Sequence, residues 1–176
     1  MVADAVAACA VSPGDRVADI GFGGGSGLSL LLQHVLPGGH VDGVDLSATM
    51  VRRARRVCRR AVRAGQLTVH QGSITDLPLG DAALDAVMTV NTVYFVPDLP
   101  AATAELARTL RPGGRVVVCV EDSAKLGESP FTAHGFLLRP VDDLVQALVD
   151  AGLRRVQRSR VADKQRPFDV LIATVG

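Results

Sequence analysis

The chain is poor in the side chains that stacking surfaces are built from: aromatic residues make up 3% of its 176 residues, with one Tyr and no Trp. Single-strand stacking platforms and aromatic-lined peptide grooves are therefore disfavoured as its main function. It has no dominant charge either, because 19 Lys and Arg stand against 18 Asp and Glu, a formal net charge of +1. No overall field steers it to nucleic acid or to an anionic membrane, and nucleic acid is disfavoured as a partner. No apolar run approaches the roughly 18 residues of a membrane span, so a soluble chain with no membrane partner is expected. Cysteine is scarce: Cys9, Cys58 and Cys119 are odd in number and far apart. That suits neither a disulfide framework nor zinc-ligand spacing. They read as small core residues in a reducing, cytoplasmic compartment, and no metal site is expected. The first eleven residues carry Asp4 and no basic leader, so they read as a helix and not as a secretory signal.

What is present is a globular composition, 48% apolar and 21% charged, at a length that allows one domain over residues 1–176. Short β-branched runs alternate with helical stretches, the pattern of a mostly parallel sheet with crossover helices. Strands are predicted at Arg16 to Ile20, His40 to Asp45, Leu67 to Gln71, Leu84 to Val90, Arg115 to Val120, Leu153 to Val161 and Phe168 to Val175. Between them, helices are predicted from Ser26 to Leu36, from an N-cap at Ser47 to about Ala64, from Asp98 to Leu110 and from Val141 to Ala151. Pro112-Gly113-Gly114 reads as a turn ahead of the fifth strand. Glu121 to Arg139 is the least regular stretch, and long irregular segments in compact domains are often functional.

The main chemical signal is Val17-Ala18-Asp19-Ile20-Gly21-Phe22-Gly23-Gly24-Gly25-Ser26-Gly27, a strand that runs into glycines and then a helix. Glycine permits a tight turn and close ligand approach beside a helix N-terminus, which implies a nucleotide-like ligand. The dinucleotide fingerprint G-x-G-x-x-G fails in both registers, because its third glycine falls on Ser26 or on Leu28. A P-loop is excluded, since no Gly-Lys-Ser or Gly-Lys-Thr follows and the only lysines are Lys125 and Lys164. Asp19-x-Gly21-x-Gly23-x-Gly25 is the spacing that remains.

With this loop, Gly43-Val44-Asp45-Leu46-Ser47, Gln71-Gly72-Ser73-Ile74 with Leu77-Pro78, Asp85-Ala86-Val87 to Pro97-Asp98, and Leu110-Arg111-Pro112-Gly113-Gly114 in order, the chain resembles the class I S-adenosylmethionine-dependent methyltransferases. Within them it is most similar to small-molecule methyltransferases of the ubiquinone-biosynthesis type. The resemblance implies an α/β fold, a Rossmann-like doubly wound seven-stranded mostly parallel sheet with the last strand antiparallel. It implies S-adenosyl-L-methionine as cofactor, held by Asp19, Gly21, Phe22, Gly23 and Gly25 of the loop and by Asp45 at the ribose. Leu46, Met50, Ser73 and Ile74 would lie at the adenine, Ser73 standing where the family usually has Asp, and Asn91 would lie near the methyl group. Methyl transfer needs a positioned nucleophile and exclusion of water more than a signature base. Tyr94 and His134 are the catalytic candidates, with Phe131 and Phe136 nearby. His134 could deprotonate an acceptor hydroxyl. Asn91-Thr92-Val93-Tyr94 stands in register with the Asn-Pro-Pro-Tyr box of amino-group methyltransferases but lacks both prolines, which turns the expectation toward a small-molecule acceptor.

Seven arginines between Arg52 and Arg63 alternate with apolar residues at helical spacing, so they read as a solvated helix face. The expected function is methyl transfer from S-adenosylmethionine to an O, N or C nucleophile of a small molecule. The alternative is a catalytically silent cofactor-binding regulatory or partner subunit, motivated by the short stretch ahead of Arg16 where the family usually carries cover helices. A nicotinamide-dependent oxidoreductase is disfavoured by the failed fingerprint. A homodimer in which a second copy covers the pocket is left open.

Overall fold

The computed structural model describes residues 1–121, 136–162 and 166–176. In chain order these form α1 (Val2–Cys9), β1 (Arg16–Ile20), α2 (Ser26–Val35), β2 (His40–Asp45), α3 (Ala48–Val57), α4 (Arg59–Arg63), β3 (Leu67–Gln71) and β4 (Leu84–Val90). A single 3₁₀ turn (Val93–Phe95), α5 (Leu99–Thr109), β5 (Leu110–Glu121), α6 (Val141–Asp150), β6 (Leu153–Val161) and β7 (Phe168–Val175) follow. The seven strands form one sheet in the order β3-β2-β1-β4-β5-β7-β6. β7 runs antiparallel to both of its neighbours, and the other pairings are parallel.

The strands alternate in which face they bury, and two apolar layers result. Val17, Val41, Met88, Val117 and Cys119 pack toward α1, α2 and α3. Ala18, Val44, Val87, Val116 and Val118 pack toward α5 and α6, where Leu99, Leu106, Leu144 and Leu148 meet them. Because β2 leaves β1 on one side and β4 joins it on the other, the connections part above the C-terminal end of β1. In open parallel sheets that crevice is where ligands bind.

Two details differ from the sequence expectation. The helix predicted from Ser47 to Ala64 is broken at Cys58 into α3 and α4. Arg52, Arg55, Arg56 and Arg59 crowd like charges at three- and four-residue spacing there, so no side-chain pair supports that turn. The predicted turn at Pro112-Gly113-Gly114 lies inside the span of β5. Leu110 pairs with Leu84 and Arg115 already with Ala86, so residues 111–114 bulge out of the ladder.

Candidate functional site

β1 ends at Ile20, and Gly21 turns the chain by taking φ of +73° while its N–H donates to Val44 O at 2.7 Å. A Cβ at Gly21 would collide with the Thr92 side chain, so both the turn and the close approach of residue 92 require glycine. The loop closes on α2, where a Cβ at Gly27 would collide with Asp19 Oδ2. β2 ends at Asp45. Its Oδ2 accepts the Gly23 N–H and its Oδ1 accepts the Ser47 N–H, both at 2.8 Å, so one carboxylate ties the glycine loop to the start of α3. Ser47 is the N-cap, accepting the Met50 N–H at 3.4 Å.

Above these ends lies a cavity of about 570 Å³. Of the sequence-predicted residues, Gly21, Gly23, Asp45, Leu46, Met50, Ser73, Ile74 and Asn91 line it. Leu46 is 73% exposed, an apolar side chain held at the rim. The Ser73 hydroxyl lies 2.7 Å from Thr75 Oγ1 and accepts the Thr75 N–H at 3.2 Å, so it orders its own turn. Asp19, Phe22 and Gly25 are not on the cavity wall. Gly25 is the N-cap of α2, and Phe22 is buried in the layer of α1, α2 and α3.

Asp19 is 3% exposed, and among the described residues no group hydrogen-bonds to its carboxylate. Burial, and secondarily the charge of Asp45, push its pKa up to about 7. The charge of Asp45 on the cavity wall, with the partly ionised Asp19 behind it, favours a ligand that brings positive charge.

Asn91 follows β4 with φ of +55°, its N–H donating to Cys119 O at 3.0 Å. Its Nδ2 donates to Glu121 Oε1 at 3.1 Å, and its Oδ1 accepts from the Glu121 N–H at 3.3 Å. Tyr94 is buried beneath, its hydroxyl donating to Glu121 O at 3.1 Å, and its ring stacks on Phe136 at 5.7 Å. Asn91, Tyr94 and Glu121 thus form one network that joins the ends of β4 and β5. Tyr94 does not line the main cavity. His134 and Phe131 lie outside the described residues.

Thr75, Thr92, Phe95, Val96 and Pro97 also line the cavity, and sequence reasoning did not single them out. A Phe five residues beyond the end of β4, in a chain with so few aromatics, was the available signal for Phe95.

A doubly wound sheet with a glycine loop after β1, an acidic residue closing β2 and a largely apolar cavity between them is the arrangement of a nucleoside-cofactor domain and fits the class of S-adenosyl-L-methionine-dependent methyltransferases. The chain belongs to the methyltransferase domain family, whose sequence profile matches residues 18–118. It is 31% identical over 155 residues to arsenite methyltransferase of Halobacterium salinarum, covering 84% of this chain and 39% of that one. It is 33% identical over 126 residues to demethylmenaquinone methyltransferase of Symbiobacterium thermophilum, covering 72% of this chain and 49% of the relative. The chain spans 30% to 61% of the length of the first curated relatives that it matches. Among solved structures, an S-adenosylmethionine-dependent methyltransferase from Aquifex aeolicus superposes with a TM-score of 0.81 at 21% identity, over 99% of this chain and 89% of that chain. That likeness shows the fold.

Proposed function

We propose that the protein transfers the methyl group of S-adenosyl-L-methionine to an O, N or C nucleophile of a small molecule. The observation that carries this reading is the cavity over β1, β2 and β4, in which Asp45 joins the glycine loop to α3 beside the apolar Leu46, Met50 and Ile74. Asp45 has lone pairs left to accept from ribose hydroxyls, and Leu46, Met50 and Ile74 offer apolar cover for a purine. Asp19 and Asp45 supply negative potential that suits a sulfonium and an ammonium group. When bound, the cofactor supplies an electrophilic methyl carbon.

The residues of this chain then have three tasks. The glycine loop and Asp45 fix the position of the cofactor, which accounts for most of the acceleration available to a displacement of this kind. Asn91 and Thr92, at the end of β4, lie on the cavity wall, Thr92 packed against Gly21. Phe95, Val96 and Pro97 make an apolar wall that excludes water. Tyr94 acts in this reading by holding Asn91, and His134 remains the proposed base for an acceptor that needs one. The names of the relatives, arsenite and demethylmenaquinone methyltransferases among them, support a small-molecule acceptor. Three free thiols support a cytoplasmic setting.

Calorimetric titration with S-adenosylhomocysteine tests the cofactor site. The wild-type protein is expected to bind, and Asp45→Ala to bind about 100-fold more weakly, the scale of two lost charge-assisted hydrogen bonds. Absence of binding to the folded wild-type protein would sink the reading. Labelled methyl transfer into fractions of a cell extract then identifies the acceptor, and binding without transfer to any fraction would leave the silent-subunit alternative standing.

A further inference from the structure

The apolar wall formed by Phe95, Val96 and Pro97 has little regular structure of its own. It consists of the end of one 3₁₀ turn and the approach to α5. Two backbone hydrogen bonds lie within it, Phe95 N–H to Thr92 O at 3.0 Å and Val96 N–H to Val93 O at 3.3 Å. Phe95 is 54% exposed and so gains little from core packing. Val96 is buried in the core layer of α5 and α6, so packing anchors one of the three wall residues and leaves the carbonyls of the segment to be held in another way.

Arg139 reaches it from a part of the chain more than 40 residues away. Its Nη1 donates to Val93 O at 3.2 Å, and its Nη2 donates to Val96 O at 2.7 Å and to Pro97 O at 3.0 Å. No carboxylate among the described residues pairs with it, and its contacts there are to carbonyls. Val93 O opens the 3₁₀ turn and also accepts the Val96 N–H, whereas Val96 O and Pro97 O lie just beyond the turn, and a planar guanidinium can satisfy such acceptors together. The neighbours of Arg139 join the same segment: Leu137 N–H donates to Tyr94 O at 2.7 Å, and Phe136 packs edge-on against Phe95 at 4.6 Å.

We propose that Arg139 is a positioning residue for the cofactor cavity, gathering three carbonyls of residues 93–97 so that Phe95, Val96 and Pro97 stay in place as its wall. The inference rests on the reading of this cavity as the cofactor site. It extends that reading by making affinity depend on a side chain that does not line the cavity.

The test compares Arg139→Ala and Arg139→Lys with Arg16→Ala, a destabilising control whose ion pair to Asp42 lies toward the N-terminal ends of β1 and β2, away from the cavity. Amide exchange measures whether the wall is held. The Phe95 and Val96 amides are expected to exchange at least about tenfold faster in Arg139→Ala than in the wild-type protein, and at the wild-type rate relative to global stability in Arg16→Ala. Calorimetry with S-adenosylhomocysteine measures the consequence, an expected loss of about tenfold in affinity for Arg139→Ala and about threefold for Arg139→Lys, with none for Arg16→Ala. Lysine keeps the charge but not the fork, so partial rescue is the signature of positioning. Unchanged exchange and affinity in folded Arg139→Ala would overturn the proposal. If that variant does not fold, unchanged values in Arg139→Lys overturn it. Wild-type protein that fails to bind S-adenosylhomocysteine removes the cofactor reading instead, and the exchange rates then still decide whether Arg139 holds the wall.

Discussion

Asp19 and Asp42 are the same residue type on adjacent strands, at 3% and 1% exposure, and their surroundings are opposite. Asp42 lies toward the start of β2 and is surrounded by cations and donors. Arg16 Nε and Nη2 each donate to its Oδ2 at 3.0 Å, and His70 Nε2 and His40 Nε2 lie 3.0 and 3.6 Å from its Oδ1. Burial alone would raise its pKa, but the bonds and charges of His70, Arg16 and His40 outweigh it and hold the carboxyl below its usual range. Asp19 lies at the C-terminal end of β1 with no cation, and burial with the charge of Asp45 takes it up to about 7. Asp42 is compensated inside the protein. Asp19 has no compensating group among the described residues, which suits the proposed binding of a cationic ligand.

Breaking the compensated group should cost most. Asp42→Asn removes the buried partner of the half-exposed Arg16 and is expected to lower stability by roughly 1 to 3 kcal/mol, read from urea denaturation. Because the folded pKa of Asp42 is depressed, its contribution is present above the ordinary carboxylate pKa and is lost as pH falls through its folded value. The acid limb of the stability profile should therefore flatten in this variant.

Removing the uncompensated charge should act with the opposite sign. The folded pKa of Asp19 is raised from 3.8 to about 7, so the wild-type protein loses stability as pH rises between those values. Asp19→Asn is expected to gain on the order of 2 kcal/mol at pH 8, to gain nothing near pH 4, and to bind S-adenosylhomocysteine more weakly. A loss of stability at pH 8 would show that Asp19 is neutralised within the protein after all. Gly27→Ala sharpens the contrast at smaller cost. Its Cβ would collide with Asp19 Oδ2 and come within 2.5 Å of Met88 Cε, a misfit worth about 1 to 2 kcal/mol in thermal unfolding.

Most strands were legible because their signal is local. Arg16 to Ile20, His40 to Asp45 and Leu67 to Gln71 are β-branched runs bounded by turn residues, and the structure places them at those limits. The cavity was legible where glycines and a strand-terminal acid marked it, as at Gly21, Gly23 and Asp45. The break at Cys58 was hidden because the apolar spacing of residues 51–62 continues across it, and periodicity does not report where like charges withdraw support. Phe95, Val96 and Pro97 were hidden because their place on the cavity wall follows from how the chain leaves β4, which no pattern in five residues encodes.

By itself the sequence determined the alternation of strands and helices, the glycine loop and the order of motifs, all of them properties of short windows in which backbone preference and side-chain period act. Only the tertiary structure decided that Asp42 is compensated and Asp19 is not, since Asp42 depends on Arg16, 26 residues before it, and on His70, 28 residues after it. It likewise decided that Arg139 serves a wall more than 40 residues away. The physical reason is that the charge state and hold of a buried group depend on which atoms lie within a few ångströms, and the fold, not proximity along the chain, sets those distances.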